Sequence, residues 1–255
     1  EVAGRTLCVQ QDRLWLRGGF PESFLAGDDE ASWQWREQFI ATYLERDIPR
    51  LGPRLASELL RRFWTMLCHQ QGSIMNAASL ASGLGVNGKT VSSYVDLLTE
   101  LFLVRQLRPW FANIGKRLVK APKVYVRDPG LVHCLANIRD EETLLGHPLC
   151  GPSWEGFVLE NLITAAPSSW RPWFFRTAAG AEIDLVFEIP SSKPMALEIK
   201  RTLSPSITKG FHLGCEDIRA GERYYVLPEG ERHPLDRKTE AISLMELVEL
   251  MSSRF

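Results

Sequence analysis

With 255 residues, 45% of them apolar, and eight tryptophans, the chain can bury a substantial core and divides more naturally into two domains plus a connector than into one. A net charge of −1 excludes a generally polybasic or polyacidic protein, and no apolar run reaches the ~18 residues of a membrane span or the pattern of a secretory signal. Five scattered cysteines without a C-x-x-C exclude a disulfide framework and a zinc ribbon, which points to a reducing cytoplasm, and the five histidines lack ligand spacing.

After the turn-like stretch "RGGFPESFLAGDD", apolar spacing predicts an amphipathic helix over Ala31–Ile48. Trp35, Phe39, Tyr43 and Leu44 lie near one face and Pro49 ends it. A second helix is predicted from about Leu55 to Gln70, stopping at Gly72. Asn76 then caps a short helix carrying Ala77, Leu80, Ala81 and Leu84. A further helix carries Val91, Tyr94, Val95, Leu97, Leu98, Leu101 and Phe102. Between them "GLGVNGKT" (Gly83 to Thr90) matches the phosphate-loop pattern G-x-x-x-x-G-K-T. A phosphate loop must follow a buried strand and open a helix, so that backbone N–H groups converge on phosphate oxygens. Here a helix precedes it and no apolar run ending in Asp follows at a suitable distance. The stretch therefore reads as helix, glycine turn, helix: a helix–turn–helix.

Two strands follow, "FLVRQLRPW" and "KRLVKAPKVYVRD", around a loop holding Pro109, Asn113 and Gly115. A hairpin directly after a helix–turn–helix makes a winged helix. From Arg105 to Arg127 there are seven basic residues and no acid, interleaved with Trp110, Phe111 and Tyr125. That composition suits a phosphate-contacting surface, so Lys89, Arg108, Lys116, Arg117, Lys120 and Lys123 are the candidate DNA contacts. A solvated hairpin whose aromatics pack on the helices is the alternative, and winged helices also join proteins to proteins. Asp128–Ile138 reads as a short helix leading to a loop around Gly146–Gly151.

From Pro152 the order changes to helix ("PSWEGFVLENLITAA"), three strands ("WFFR", "AEIDLVFEI", "MALEIK"), helix ("SPSITKGFHLGCED") and strand ("RYYVL"). Period two puts Glu182 with Asp184 on one strand face and Glu198 with Lys200 on the next. If those strands are neighbours, two carboxylates and an ammonium converge. The carboxylates would repel without a divalent cation, so Asp184 and Glu198 are candidate ligands of Mg or Mn. Lys200 would then stabilise charge on a scissile phosphate, with Glu160, and Glu155 as second choice, supplying a further acid.

This part of the chain resembles the PD-(D/E)XK nuclease superfamily, whose signature is Asp, a variable gap and Glu-x-Lys. The resemblance covers roughly residues 152–227 and implies an αβββαβ core with metal-dependent DNA cleavage at Asp184, Glu198 and Lys200. No proline–aspartate dipeptide precedes the strand, and the superfamily holds many inactive members. A wider resemblance rests on "LWLRGGFPESFLA", "FIATYLERDIP", "GVNGKTVSSYVDLL", "PKVYVRDPGL", "WEGFVLENL" and "FFRTAAGAEIDLVFE". These look like the carboxy-terminal half of a family of bacterial and archaeal AAA-type ATPases. It implies an amino-terminal domain that binds ATP and lies outside this chain.

The expected class is thus α/β (α+β): a connector over residues 1–50, a winged helix over 51–138 and a nuclease-like domain over 150–255. Three functions stay open. One is a Mg- or Mn-dependent DNA endonuclease. Another is a nuclease-like module that recognises nucleic acid or protein for its ATPase without cutting. The last is a partner-binding role in which the winged helix packs on a second copy.

Overall fold

The computed structural model describes residues 2–48, 57–110 and 119–254. They form an α+β chain of two compact units, residues 1–106 with 124–157 and residues 107–123 with 158–255. No described helix is long and apolar enough to cross a membrane.

The first unit opens with α1 (Val2–Arg17) and α2 (Pro21–Phe24), neither of which the sequence patterns announced. Proline at the first helical position gives α2 its start inside the stretch expected to be a turn. Next comes α3 (Asp29–Thr42), which begins where the Asp28 carboxylate accepts the Ala31 N–H at 2.8 Å. It continues through a π-helical turn, Tyr43–Asp47, so the predicted helix over 31–48 is one rod with a widened last turn. Trp35, Phe39 and Tyr43, four residues apart, stack along its side with ring centroids 5.2 and 5.3 Å apart. The start of the second predicted helix lies outside the described residues; from Ser57 it forms α4 (Ser57–His69).

After β1 (Ser73–Ile74) come α5 (Ala77–Leu84) and α6 (Gly88–Glu100), which pack on each other. The turn between them follows from three residues. Gly85 takes φ +69°, the left-handed conformation that ends α5 and that a side chain would strain. Asn76 caps α5 by accepting the Ser79 N–H, and Asn87 caps α6 by accepting the Thr90 N–H. Strands β2 (Val104–Leu107) and β3 (Lys123–Val126) join β1 in a three-stranded sheet of order β1-β3-β2. The Gln71 side chain extends that ladder, donating to Val126 O and accepting from Val126 N–H. The helices α7 (Pro129–Leu135) and α8 (Glu141–Leu145) complete the unit. Gly130 in α7 admits no side chain, because a Cβ there would stand 2.2 Å from the Arg17 carbonyl oxygen.

The helix α9 (Cys150–Ala165) leads to the sheet of the second unit: β4 (Arg171–Arg176), β5 (Glu182–Glu188), β6 (Met195–Ile199), then α10 (Lys209–Asp217) and β7 (Glu222–Leu227). Beyond the predicted elements lie β8 (His233–Pro234), β9 (Glu240–Ser243) and α11 (Leu244–Ser252). The six strands run in the order β4-β5-β6-β7-β9-β8. Pairing is antiparallel from β4 to β6, and parallel from β6 through β7 to β9. The two-residue β8 blunts one edge. At the other, Trp110 N–H donates to Phe174 O, Phe174 N–H to Arg108 O, and Val119 N–H to Arg176 O. The described ends of the basic loop are therefore laid along β4, in the second unit.

One irregularity decides where the acids point. Trp173 faces Val186 and Phe175 faces Ile183, so Asp184 and Leu185 together oppose Phe174: β5 carries a bulge. Ile183 and Val186 consequently share one core with Phe175, Ala196, Phe211, Cys215 and Tyr225, under α10. Simple alternation along β5 would have put them on opposite faces.

Candidate functional site

The bulge sets Asp184 against the E-x-K strand. Pairing of β5 with β6 runs from Phe187↔Met195 to Leu185↔Leu197, and then the Asp184 carboxylate takes over, its Oδ2 accepting the Ile199 N–H at 3.0 Å. A side-chain oxygen thus stands where a backbone carbonyl would continue the ladder. Glu198, one residue earlier on β6, is in register with Tyr225. Its Oε1 lies 2.9 Å from Lys200 Nζ, as period two along the strand requires. Lys200 is 39% exposed, so this pair reaches solvent at one end. Burial first, and the nearby Glu198 carboxylate in the same direction, raise the Tyr225 phenol above its ordinary range, against the Thr208 N–H it accepts.

A second cation meets the other acids. Lys123 at the start of β3 places Nζ 3.1 Å from Glu182 Oε1 and 3.5 Å from Asp184 Oδ1. The same ammonium is 5.8 Å from the centroid of the Phe174 ring, and its side chain is 3% exposed. Arg176, the cross-strand partner of Glu182, lies 3.5 Å from the other Glu182 oxygen. Asp184 and Glu182 therefore meet on Lys123, while Glu198 meets Lys200.

Among the described residues, no three His, Cys, Asp or Glu side chains gather as a metal-holding group. Both oxygens of Asp184 already accept from N–H donors, and a Glu198 oxygen faces an ammonium. As arranged, the expected Mg or Mn ligands do not fit a hard divalent cation, which needs several free oxygens at once. Glu160 is half-buried on α9, and Glu155 accepts the Tyr125 hydroxyl at 2.6 Å. Burial pushes the Cys68 and Cys215 thiols up to about 12 and that of Cys134 up to about 11, which disfavours their thiolates.

The expected DNA contacts separate into three groups. Lys89, Arg108 and Lys120 are exposed. Lys116 and Arg117, with Phe111, Asn113 and Gly115, lie outside the described residues. Lys123 needs correction: it is buried in the ion pairs above and offers nothing to a phosphate. Tyr125 is a core residue, and Trp110 packs edge-on against Trp173. Charge pairing claims Lys123, and core packing claims Tyr125. On α6 the outward side chains are Lys89, Ser92 and Ser93 in the first turns, then Asp96 and Glu100. Its amino-terminal end, where the helix dipole also favours anions, is the end suited to a phosphate.

The first unit holds a polar network that sequence patterns did not reveal. His133 Nδ1–H donates to Leu16 O at 2.9 Å; its Nε2 lies 2.7 Å from Ser153 Oγ, which also accepts the Trp15 indole N–H at 3.0 Å. A serine–histidine pair of this length resembles a nucleophile with its base, but both residues are buried. Burial pushes His133 down to about 3, so it is a neutral structural link. Arg36, also fully buried, donates to the carbonyls of Ser32, Leu16 and Gly130. Burial lowers its guanidinium from the ordinary value, against the favourable charges of Asp128 and Asp29. The signal was in the sequence only as a polar residue at a buried helical position, since Arg36 lies three residues after Trp33 and four before Ile40.

Residues 9–142 match a family described as Domain of unknown function (DUF8612), and residues 150–247 match one described as Domain of unknown function (DUF4143). Two relatives, uncharacterized proteins of Mycobacterium bovis (Mb2031c) and Mycobacterium tuberculosis (Rv2008c), are each 46% identical over 232 residues. The match covers 91% of this chain and 52% of theirs, so the chain spans about half the length of the curated relatives it matches. No solved structure matches it.

Proposed function

The chain belongs to the DUF8612 family, and on that premise we propose that it is the nucleic-acid-recognition region of an AAA-type ATPase, carrying a nuclease-like sheet that does not cut. This reading is supported by the element order α4-β1-α5-α6-β2-β3 with the sheet order β1-β3-β2, an order that a winged helix would have. The glycine turn between α5 and α6, capped by Asn87, presents Lys89 at the amino-terminal end of the second helix. The DUF4143 region is associated with AAA-ATPase-like proteins, and the relatives are about twice as long as the aligned part, which leaves room in them for such a domain. The association supports the ATPase half of the proposal.

The test is anisotropy of labelled duplex DNA across a salt series. Binding should weaken linearly on a log–log plot, and Lys89→Ala and Lys120→Ala should each lower affinity and reduce the slope by about 1. Affinity indifferent to salt and to both lysines would sink the recognition reading. A second reading, DNA cleavage, is favoured by one observation, the Asp184 carboxylate resting on the backbone of the E-x-K strand. Incubation with DNA and Mn²⁺ separates them: the expected result is intact DNA, whereas cleavage lost on Asp184→Asn would restore the nuclease.

A further inference from the structure

We infer that Lys123 is a built-in cation that closes the acidic pair Glu182 and Asp184 to divalent metals. The inference rests on reading the second unit as a nuclease-like sheet, and not on whether the helix–turn–helix binds DNA. Four observations support it.

The first is position. Lys123 Nζ lies within 3.5 Å of an oxygen from each acid, with the Phe174 ring beside it. The second is access. Lys200, the lysine of the E-x-K pattern, is 39% exposed, whereas Lys123 is 3% exposed, so water and ions reach the former and not the latter. The third is charge. Among the described residues, the carboxylates of Glu182 and Asp184 are paired with Lys123 and Arg176, and that of Glu198 with Lys200. A divalent ion entering between Glu182 and Asp184 would add positive charge beside the buried Lys123 ammonium, and each Asp184 oxygen it took would lose an existing N–H donor. The fourth is tethering. Val119 N–H donates to Arg176 O, so backbone pairing four residues before Lys123 ties its segment to β4. An ammonium so held costs little further entropy to stay, while a metal would have to displace it.

Manganese titration followed by electron paramagnetic resonance of free Mn²⁺ tests this on the whole chain. Wild type should leave the free-ion signal undiminished. Lys123→Met, which keeps the volume and removes the charge, should take up Mn²⁺ saturably, one ion per chain, and Lys123→Met with Asp184→Asn should lose that uptake. The inference is overturned if wild type takes up an ion that Asp184→Asn abolishes, or if uptake by Lys123→Met survives Asp184→Asn. It is equally overturned if Lys123→Met folds and stays silent, or fails to fold and is not restored by Mn²⁺ in a circular-dichroism melt. DNA anisotropy on the same preparations reads the proposed recognition function separately, so either can fail while the other stands.

Discussion

The most deeply buried ionisable groups of the two units have different partners. In the first, Arg36 and His133 are seated against backbone carbonyls and a hydroxyl. In the second, Lys123, Asp184 and Glu198 are seated against opposite charges. A group held by neutral partners is stable only in one protonation state, and its loss leaves dipoles unsatisfied. A group held by an opposite charge is stable as a pair, and removing both members costs less than removing one. The first arrangement fixes helices to each other; the second neutralises the acids of the sheet with cations beside them.

The largest expected effect breaks the first unit with acid. His133 titrates near 6.5 in an unfolded chain but stays neutral to about 3 in the fold. Between those values only the unfolded chain takes up a proton. Stability should therefore be full above about pH 6.5 and fall as pH drops towards 3, by about 1.4 kcal/mol per unit. Urea midpoints measured across that range, with His133→Gln as the flat control, check it; equal slopes for both proteins would contradict the burial argument.

A smaller effect tests the pairing in the second unit. Lys123→Met should cost about 2–3 kcal/mol, less than a fully buried pair because Glu182 is partly exposed. Adding Asp184→Asn to it should restore part of that loss, as judged by chemical denaturation. Strict additivity of the two changes would show that the charges do not act as a pair.

The smallest sharpens the contrast with a neutral contact at the proposed recognition turn. Asn87→Ala removes the cap on α6 and should cost about 1 kcal/mol in the same measurement, without altering the pH dependence. A change below a few tenths would mean that packing of α5 on α6 alone holds the turn.

Local signals made much of this architecture legible. Asn76, Gly85 and Asn87 mark helix ends because a cap acts within three residues, and the apolar spacing of Val91, Tyr94, Val95 and Leu98 matches the buried face of α6. The strands from Arg171 to Leu227 were visible as short β-rich runs between turn residues. The final helix was missed although Ser243 and Glu246 stand at capping-box spacing before Leu247 and Met251. In the site, alternation correctly put Glu198 beside Lys200, whereas the bulge at Asp184 escaped it, since an extra residue in one strand shows only against its partner.

The sequence by itself determined the order of elements, the turn that makes GLGVNGKT a helix junction, and the identity of the acids on the central strands, because those depend on caps, periods and residue types within a few positions. Only the tertiary structure decided what the charges do. Lys123 is 61 residues from Asp184, and the same lysine that composition assigns to a phosphate is drawn by sheet pairing onto two carboxylates. Long-range electrostatics of this kind is set by which strands lie side by side, and no local pattern carries that information.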